Sequence, residues 1–165
     1  MNPIYLIKNK KEEKVLRRKL PPLALTKEEL KGLKVLAKEM RVTMKKANGV
    51  GLSANQIGIE KRFFVAQVPD AEGRLKFYAI ANPELIKKSA ENAVMEEGCL
   101  SVPELYGLVE RSARVTLVGY DLRGKKIKIN AWGFLARVFQ HEVDHLDGKV
   151  FTDRTTHVHK AGESA

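Results

Sequence analysis

Apolar positions along this chain follow a helical period in two places and alternate in several others. From Leu30 through Leu33, Ala37, Met40, Met44 and Ala47 they stand three or four residues apart in a lysine-rich surround, which predicts a long amphipathic helix. Thr26 followed by Glu29 reads as a capping box at its start, and Asn48-Gly49 marks its end. A second helical pattern places Phe134, Val138, His141 and His145 on one stripe and Leu135, Phe139, Glu142 and Leu146 on the next, with Gly148 as the stop. Between the two, residues 62–68 and 75–81 read as paired strands around a turn with Pro69-Asp70 and Gly73. Shorter strand candidates are 84–88, 93–97, 113–121 and 125–131, the last two joined around Arg123-Gly124. The segment through Pro3-Ile4-Tyr5-Leu6 to Pro21-Pro22 has no long period and is expected to form an irregular arm. The tail from about Thr152, with His157, His159 and the run from Gly162 through Glu163, Ser164 and Ala165, is polar and expected to fray. This order predicts an α+β fold, with small antiparallel sheets around a central helix and a long N-terminal amphipathic helix, as one domain over residues 1–165.

Composition narrows the setting. A chain of 165 residues with 44% hydrophobic content can close one substantial core. No run approaches the ~18 apolar residues that cross a bilayer, and Lys8, Lys10 and Lys11 interrupt the place of a signal peptide, so the expectation is a cytoplasmic protein without a membrane partner. Cys99 is the only cysteine, which excludes an intramolecular disulfide framework. The net charge of +10 is uneven: residues 1–50 hold 14 Lys/Arg against 5 Asp/Glu, and the remainder is nearly balanced. A basic N-terminal surface could contact an anionic surface such as RNA, although a solvated lysine face is the commoner outcome.

The chemistry centres on Gln140-His141-Glu142-Val143-Asp144-His145. Imidazoles at i and i+4 project from one helical face and can reach a single divalent cation, with the glutamate between them able to handle the proton of a water. A catalytic ion usually takes three protein ligands and keeps one position open. The metzincin position for a third histidine is occupied by Phe151, and the only glutamate further downstream is Glu163. Cys99, in Glu97-Gly98-Cys99-Leu100-Ser101, is the remaining candidate, against the usual fate of a lone cysteine as a small buried hydrophobe. Pro103 reads as the end of that extended segment. The small residues from Gly49 to Ala54 superficially fit a dinucleotide fingerprint, but they follow a helix and precede strands, which is the wrong context. They read instead as exposed backbone for a peptide-like ligand, with Gln56 aiming an amide N–H at a developing oxyanion. Asp144 should point away from the metal and pair with Arg111.

Taken together, Gly49-Val50-Gly51-Leu52-Ser53-Ala54-Asn55-Gln56, Glu97-Gly98-Cys99-Leu100-Ser101 and Gln140 to His145 resemble the three motifs of the peptide deformylases, in order and spacing, over a stretch from about Tyr5 to Phe151. Ser53 departs from that pattern, where alanine is more usual. The resemblance implies a hydrolase that removes the formyl group from formyl-methionyl nascent peptides. It implies Cys99, His141 and His145 as metal ligands, Glu142 as general acid/base, and Gln56 with the Leu100 N–H as oxyanion donors. It further implies Val50 and Gly51 as substrate-aligning backbone, and Phe134, Leu135 and Val138 as the lining of the methionine pocket. The ion it implies is Fe²⁺, with Zn²⁺, Ni²⁺ or Co²⁺ compatible with the same donors. Two other readings share some of these residues: a basic RNA-binding module with a structural metal, and a metallopeptidase that would not need the glycine loop.

Overall fold

The computed structural model describes residues 2–162, and the expected fraying of Glu163, Ser164 and Ala165 lies outside the described residues. Helix α1 spans Lys10–Leu16 and helix α2 spans Lys27–Lys46. Strands β1 (Gly51–Ser53), β2 (Phe63–Pro69), β3 (Leu75–Lys88), β4 (Asn92–Cys99), β5 (Val102–Ser112), β6 (Arg114–Tyr120) and β7 (Lys126–Trp132) follow. Helix α3 is Gly133–Leu146, and strand β8 is Val158–Lys160. Short 3₁₀ turns occupy Ala54–Ile57 and Phe151–Asp153.

The strands form two antiparallel sheets, one of five strands in the order β1-β2-β3-β6-β7 and one of three in the order β4-β5-β8. Helices cover both faces of the larger sheet, so β2 is apolar on both sides. Its Phe64, Ala66 and Val68 join the cluster with Phe139, Val143 and Leu146 of α3. The alternate Phe63 and Val65 join Leu33, Ala37, Met40 and Met44 of α2. This is the two-residue period of a strand read from both sides.

Helix α3 is buried nearly all round because it has three stripes rather than two. Its third stripe is polar: Arg137, Gln140 and Asp144 are at most 7% exposed and face the three-stranded sheet. Gln140 there accepts from the Ser112 N–H and donates to the Ser112 carbonyl, finishing the backbone pairing at the end of β5. One helix thereby sits between the two sheets and presents apolar side chains to one and hydrogen-bonding groups to the other.

Three local expectations are corrected. The N-terminal segment is not wholly irregular: Asn9 accepts from the Lys11 N–H and caps α1, and the helix is docked by the fully buried Leu16. The tail beyond Thr152 does not simply fray. Phe151 is buried in the third core cluster, and β8 pairs with β5 through Leu105↔Lys160, Tyr106↔His159 and Gly107↔Val158. Pro103 does not end an extended segment, since it is the second residue of β5, beside the turn that joins β4 to β5. At the end of α2, Asn48 takes the left-handed conformation at φ 57°, and the adjacent Gly49 runs close against Leu100, whose Cδ1 would lie 2.7 Å from a Cβ there. No helix among the described residues is long and apolar enough to cross a membrane.

Candidate metal centre and cleft

Helix α3 carries His141 and His145 one turn apart, with ring centroids 4.8 Å apart and Nε2 atoms at 3.1 Å. Strand β4 ends at Cys99, whose Sγ lies 3.2 Å from His145 Nε2. The potential ligand atoms of Cys99, His141 and His145 all lie within 4.8 Å of one another. A tetrahedral ion with bonds of about 2.1–2.3 Å sets its ligand atoms about 3.4–3.7 Å apart, so the cluster needs only a small adjustment to fit one. One proton can serve only one of the two short contacts that His145 Nε2 makes, whereas a shared cation satisfies both. The electrostatics agree. Burial pushes the Cys99 thiol up, but the His145 and His141 imidazoles bring it down to about 5, into the thiolate form that binds metals. Burial opposes a charged His141, yet its hydrogen bonds to Cys99 and Glu97 raise it well above the ordinary imidazole value. Both shifts express a demand for positive charge at the centre of the cluster, which suits a divalent ion.

Glu97 fixes the orientation of His141 by binding its Nδ1 at 2.9 Å, which leaves Nε2 for the cluster. The carboxylate is itself held by Arg111 through Nε at 2.5 Å and Nη2 at 2.9 Å, and by Arg137 Nη1 at 2.7 Å. Burial works against its charge, but Arg111 and His141 hold it well below the usual carboxylate range. Arg111 continues to Asp144 at 2.8 Å, as the sequence suggested, and Asp144 also pairs with Arg154 at 2.5 Å. A chain of ion pairs therefore runs from the C-terminal segment to a metal-site histidine. Glu97, Arg137 and Arg154 were not singled out from the sequence. The available signal was the spacing of Glu97, two residues before Cys99 and hence on the same face of an extended strand.

Glu142 lies beside the cluster at 3% exposure, and burial raises its carboxyl above the ordinary range. The fully buried Ser53 hydroxyl is within hydrogen-bond reach of Glu142 Oε2 at 2.8 Å and of the Glu142 carbonyl at 3.0 Å. Gly51 passes so close that a Cβ there would overlap this carboxylate, lying 2.8 Å from Cδ. Gln56 sits on the 3₁₀ turn. Its Oε1 accepts from the Ser53 N–H at 2.9 Å, which turns Nε2 toward Ser101 Oγ at 3.1 Å and Cys99 Sγ at 3.7 Å. Asn55 donates to the His145 carbonyl at 2.7 Å and ties that turn to α3.

These groups open on a cleft of about 580 Å³ lined by Val50, Gly51, Gln56, Leu100, Phe134 and Val138, among others. Phe134 and Val138, four apart on α3, share the face toward the cleft, with Phe134 at its exposed rim. Leu135 does not line it. One step around the helix from Phe134, it packs against the core of the five-stranded sheet, which corrects its expected place in the pocket.

Comparison with known proteins fits this geometry. The family profile described as polypeptide deformylase matches residues 3–161. The peptide deformylase of Desulforudis audaxviator is 44% identical over 128 residues, covering 78% of this chain and 80% of that protein. That of Symbiobacterium thermophilum is 43% identical over 155 residues, covering 93% of this chain and 68% of that protein. The crystal structure of peptide deformylase from Thermotoga maritima superposes with a TM-score of 0.84 at 38% identity, covering 94% of this chain and 98% of that one.

Proposed function

The chain belongs to the polypeptide deformylase family, and from that membership we propose a division of labour among the residues of its cleft. The reaction is hydrolysis of the formyl group from the N-terminal methionine of nascent polypeptides, which releases formate. The observation that supports our assignment is the convergence of two imidazoles, one cysteine sulfur, a buried carboxyl group and a side-chain amide on one cleft.

Cys99, His141 and His145 are the residues that would hold the metal. When bound, a divalent ion supplies Lewis-acid polarisation and lowers the pKa of water from 15.7 toward ~7. Glu142 takes the proton of the attacking water and returns it to the departing amine, a role that suits a carboxyl raised by burial. The Gln56 Nε2 amide and the Leu100 N–H donate to the oxyanion that develops on the formyl oxygen. Val50 and Gly51 align the peptide backbone, and Phe134 with Val138 receives the methionine side chain. Residues 1–165 act as one catalytic domain.

Fe²⁺ is the ion we propose, and Zn²⁺, Ni²⁺ and Co²⁺ suit the same thiolate and imidazole donors. A cytoplasmic setting, where thiols stay reduced, is the location we propose. We also infer a ribosome contact through the basic N-terminal surface, because Lys31, Lys34, Lys38 and Lys45 of α2 are exposed beside the exposed Val35 and Val42. Ribosome co-sedimentation that falls with salt and with Lys34→Glu/Lys38→Glu would support it, and unchanged co-sedimentation would remove it.

The deciding experiment compares formyl-Met and acetyl-Met peptides on metal-replete protein prepared without oxygen. Turnover is expected for the formyl peptide only. Glu142→Gln should keep its metal and lose most of its kcat, whereas Cys99→Ser should lose the metal. Full metal content and activity in Cys99→Ser would overturn the ligand assignment.

A further inference from the structure

The N-terminal arm reaches the cleft from behind at two points. The Tyr5 N–H donates to the Gln56 carbonyl at 2.7 Å, and the Ile7 N–H donates to the Ser101 carbonyl at 2.9 Å. The Leu6 N–H turns elsewhere and donates to Glu12 Oε2 at 2.6 Å. This alternation is that of an extended chain with one edge on the site. The side chains reinforce the contacts. The Tyr5 ring lies so close to Gly58 that a Cβ there would meet Cε2 at 3.0 Å, and Gly58, at φ 78°, ends the 3₁₀ turn that carries Gln56. Ile7 packs against the cluster of Val102, Val150 and Phe151 that also borders Cys99. Helix α1 anchors the far end of the arm.

Gln56 and Ser101 belong to different parts of the fold, the turn after β1 and the turn between β4 and β5. Their side chains meet through Gln56 Nε2, which has two protons, one directed at Ser101 Oγ and the other toward Cys99 Sγ at 3.7 Å. The arm adds two backbone ties to the same two turns that do not involve the Gln56 side chain. We propose that residues Tyr5–Ile7 are a positioning strap, whose two backbone N–H groups hold Gln56 and the segment Leu100-Ser101 at the separation the oxyanion requires. The inference rests on the oxyanion role given above to Gln56 and the Leu100 N–H. Losing a whole oxyanion donor costs ~10²–10³ in rate, and displacing one by about 1 Å costs up to ~10². Loss of one strap bond should fall short of either.

The test is to replace Tyr5, Leu6 or Ile7 singly by the corresponding α-hydroxy acid in the full metal-loaded chain. Each change converts one amide to an ester and deletes one N–H without changing a side chain. The readouts are kcat, KM, metal content and Tm. The Tyr5 and Ile7 esters should lower kcat about tenfold, with KM within about twofold and metal content unchanged. The Leu6 ester should lose comparable Tm and keep its kcat, because its bond goes to Glu12. Equal loss of kcat in all three, or native kcat in the Tyr5 and Ile7 esters, would overturn the strap. Gln56→Ala measured alongside separates the two ideas. If it is slow while the esters are native, only the strap falls. If Gln56→Ala itself keeps native kcat, the oxyanion reading falls and takes the strap with it.

Discussion

Arg111→Ala tests whether the ion-pair chain does more than fill space. Its guanidinium is 4% exposed and makes a two-pronged contact with Glu97 and a single one with Asp144, whose side chains are 5% and 10% exposed. Breaking a buried pair by removing one partner typically costs about 3–5 kcal/mol, because the other charge stays behind. Here Glu97 keeps Arg137 and His141, and Asp144 keeps Arg154, so about 3 kcal/mol is the expected loss. For a chain of this size each kcal/mol moves Tm by about 2–4 °C, which gives a fall of about 6–12 °C in the metal-loaded protein. A second effect should travel through Glu97. Loosening the carboxylate that orients a ligating histidine typically costs ~10–100-fold in metal affinity, measurable by competition with a chelator. Arg111→Lys keeps the charge without the fork and should fall between Ala and the native residue. Arg114→Ala is the control: that arginine pairs with Glu91 with both side chains about two-thirds exposed, and its removal should cost under about 0.5 kcal/mol. A lower Tm with unchanged metal affinity would refute the coupling to His141, and no change in either would refute the whole argument.

Other perturbations probe the same site from different sides. Ser53→Ala removes the hydroxyl beside the Glu142 carboxylate and should lower kcat by about tenfold, or about 1.4 kcal/mol, at unchanged metal content; an unaltered kcat would show that packing alone holds Glu142. Gly51→Ala is compatible with the backbone but would displace that carboxylate, so kcat should fall by about 10² or more while elemental analysis finds the metal retained. Phe151→Ala should cost about 3–5 kcal/mol by denaturant titration, since the ring is 1% exposed and packs in the cluster with Val102, Val109 and Val150. Iron-loaded protein should lose activity in air faster than nickel- or zinc-loaded protein; equal decay curves would mean that metal oxidation is not the limiting event.

Which elements could be read in advance follows from how each is stabilised. Helices α2 and α3 and the β2–β3 and β6–β7 pairs bury apolar stripes, and a stripe leaves its period in the sequence. Helix α1 has seven residues and one fully buried side chain, too little for a period, and depends on the Asn9 cap and on docking. Strand β8 has three residues and owes its existence to the ladder with β5. The strand β5 was hidden by its own chemistry. Pro103 and Gly107 look like breakers, and the inward phase that carries Gly107 and Val109 continues into Arg111, a charge where an apolar residue would have declared a strand. The site divides in the same way. His141 and His145 are local and were visible, and Cys99 followed from counting ligands, whereas the strap at Tyr5–Ile7 is made of backbone groups and leaves no trace in residue type.

The misplaced charge nevertheless carries information that apolar periods do not. A buried polar group without a partner costs several kcal/mol, so each one on the inward phase of an element implies a partner on whatever packs against it. In α3 the residues Arg137, Gln140 and Asp144 follow the same three-and-four spacing as its apolar stripes, and Arg111 breaks the inward phase of β5. Read as a complementary set, Arg111 answers Asp144, and the remaining Arg137 calls for a carboxylate, which Glu97 supplies from β4. That requirement packs the three-stranded sheet on the polar side of α3 and carries Cys99, two residues beyond Glu97, to the two histidines. The pairing of buried charges therefore sets where Cys99 meets the two histidines, while the apolar cluster of Val102, Val109, Val150 and Phe151 packs the other side of the same sheet region.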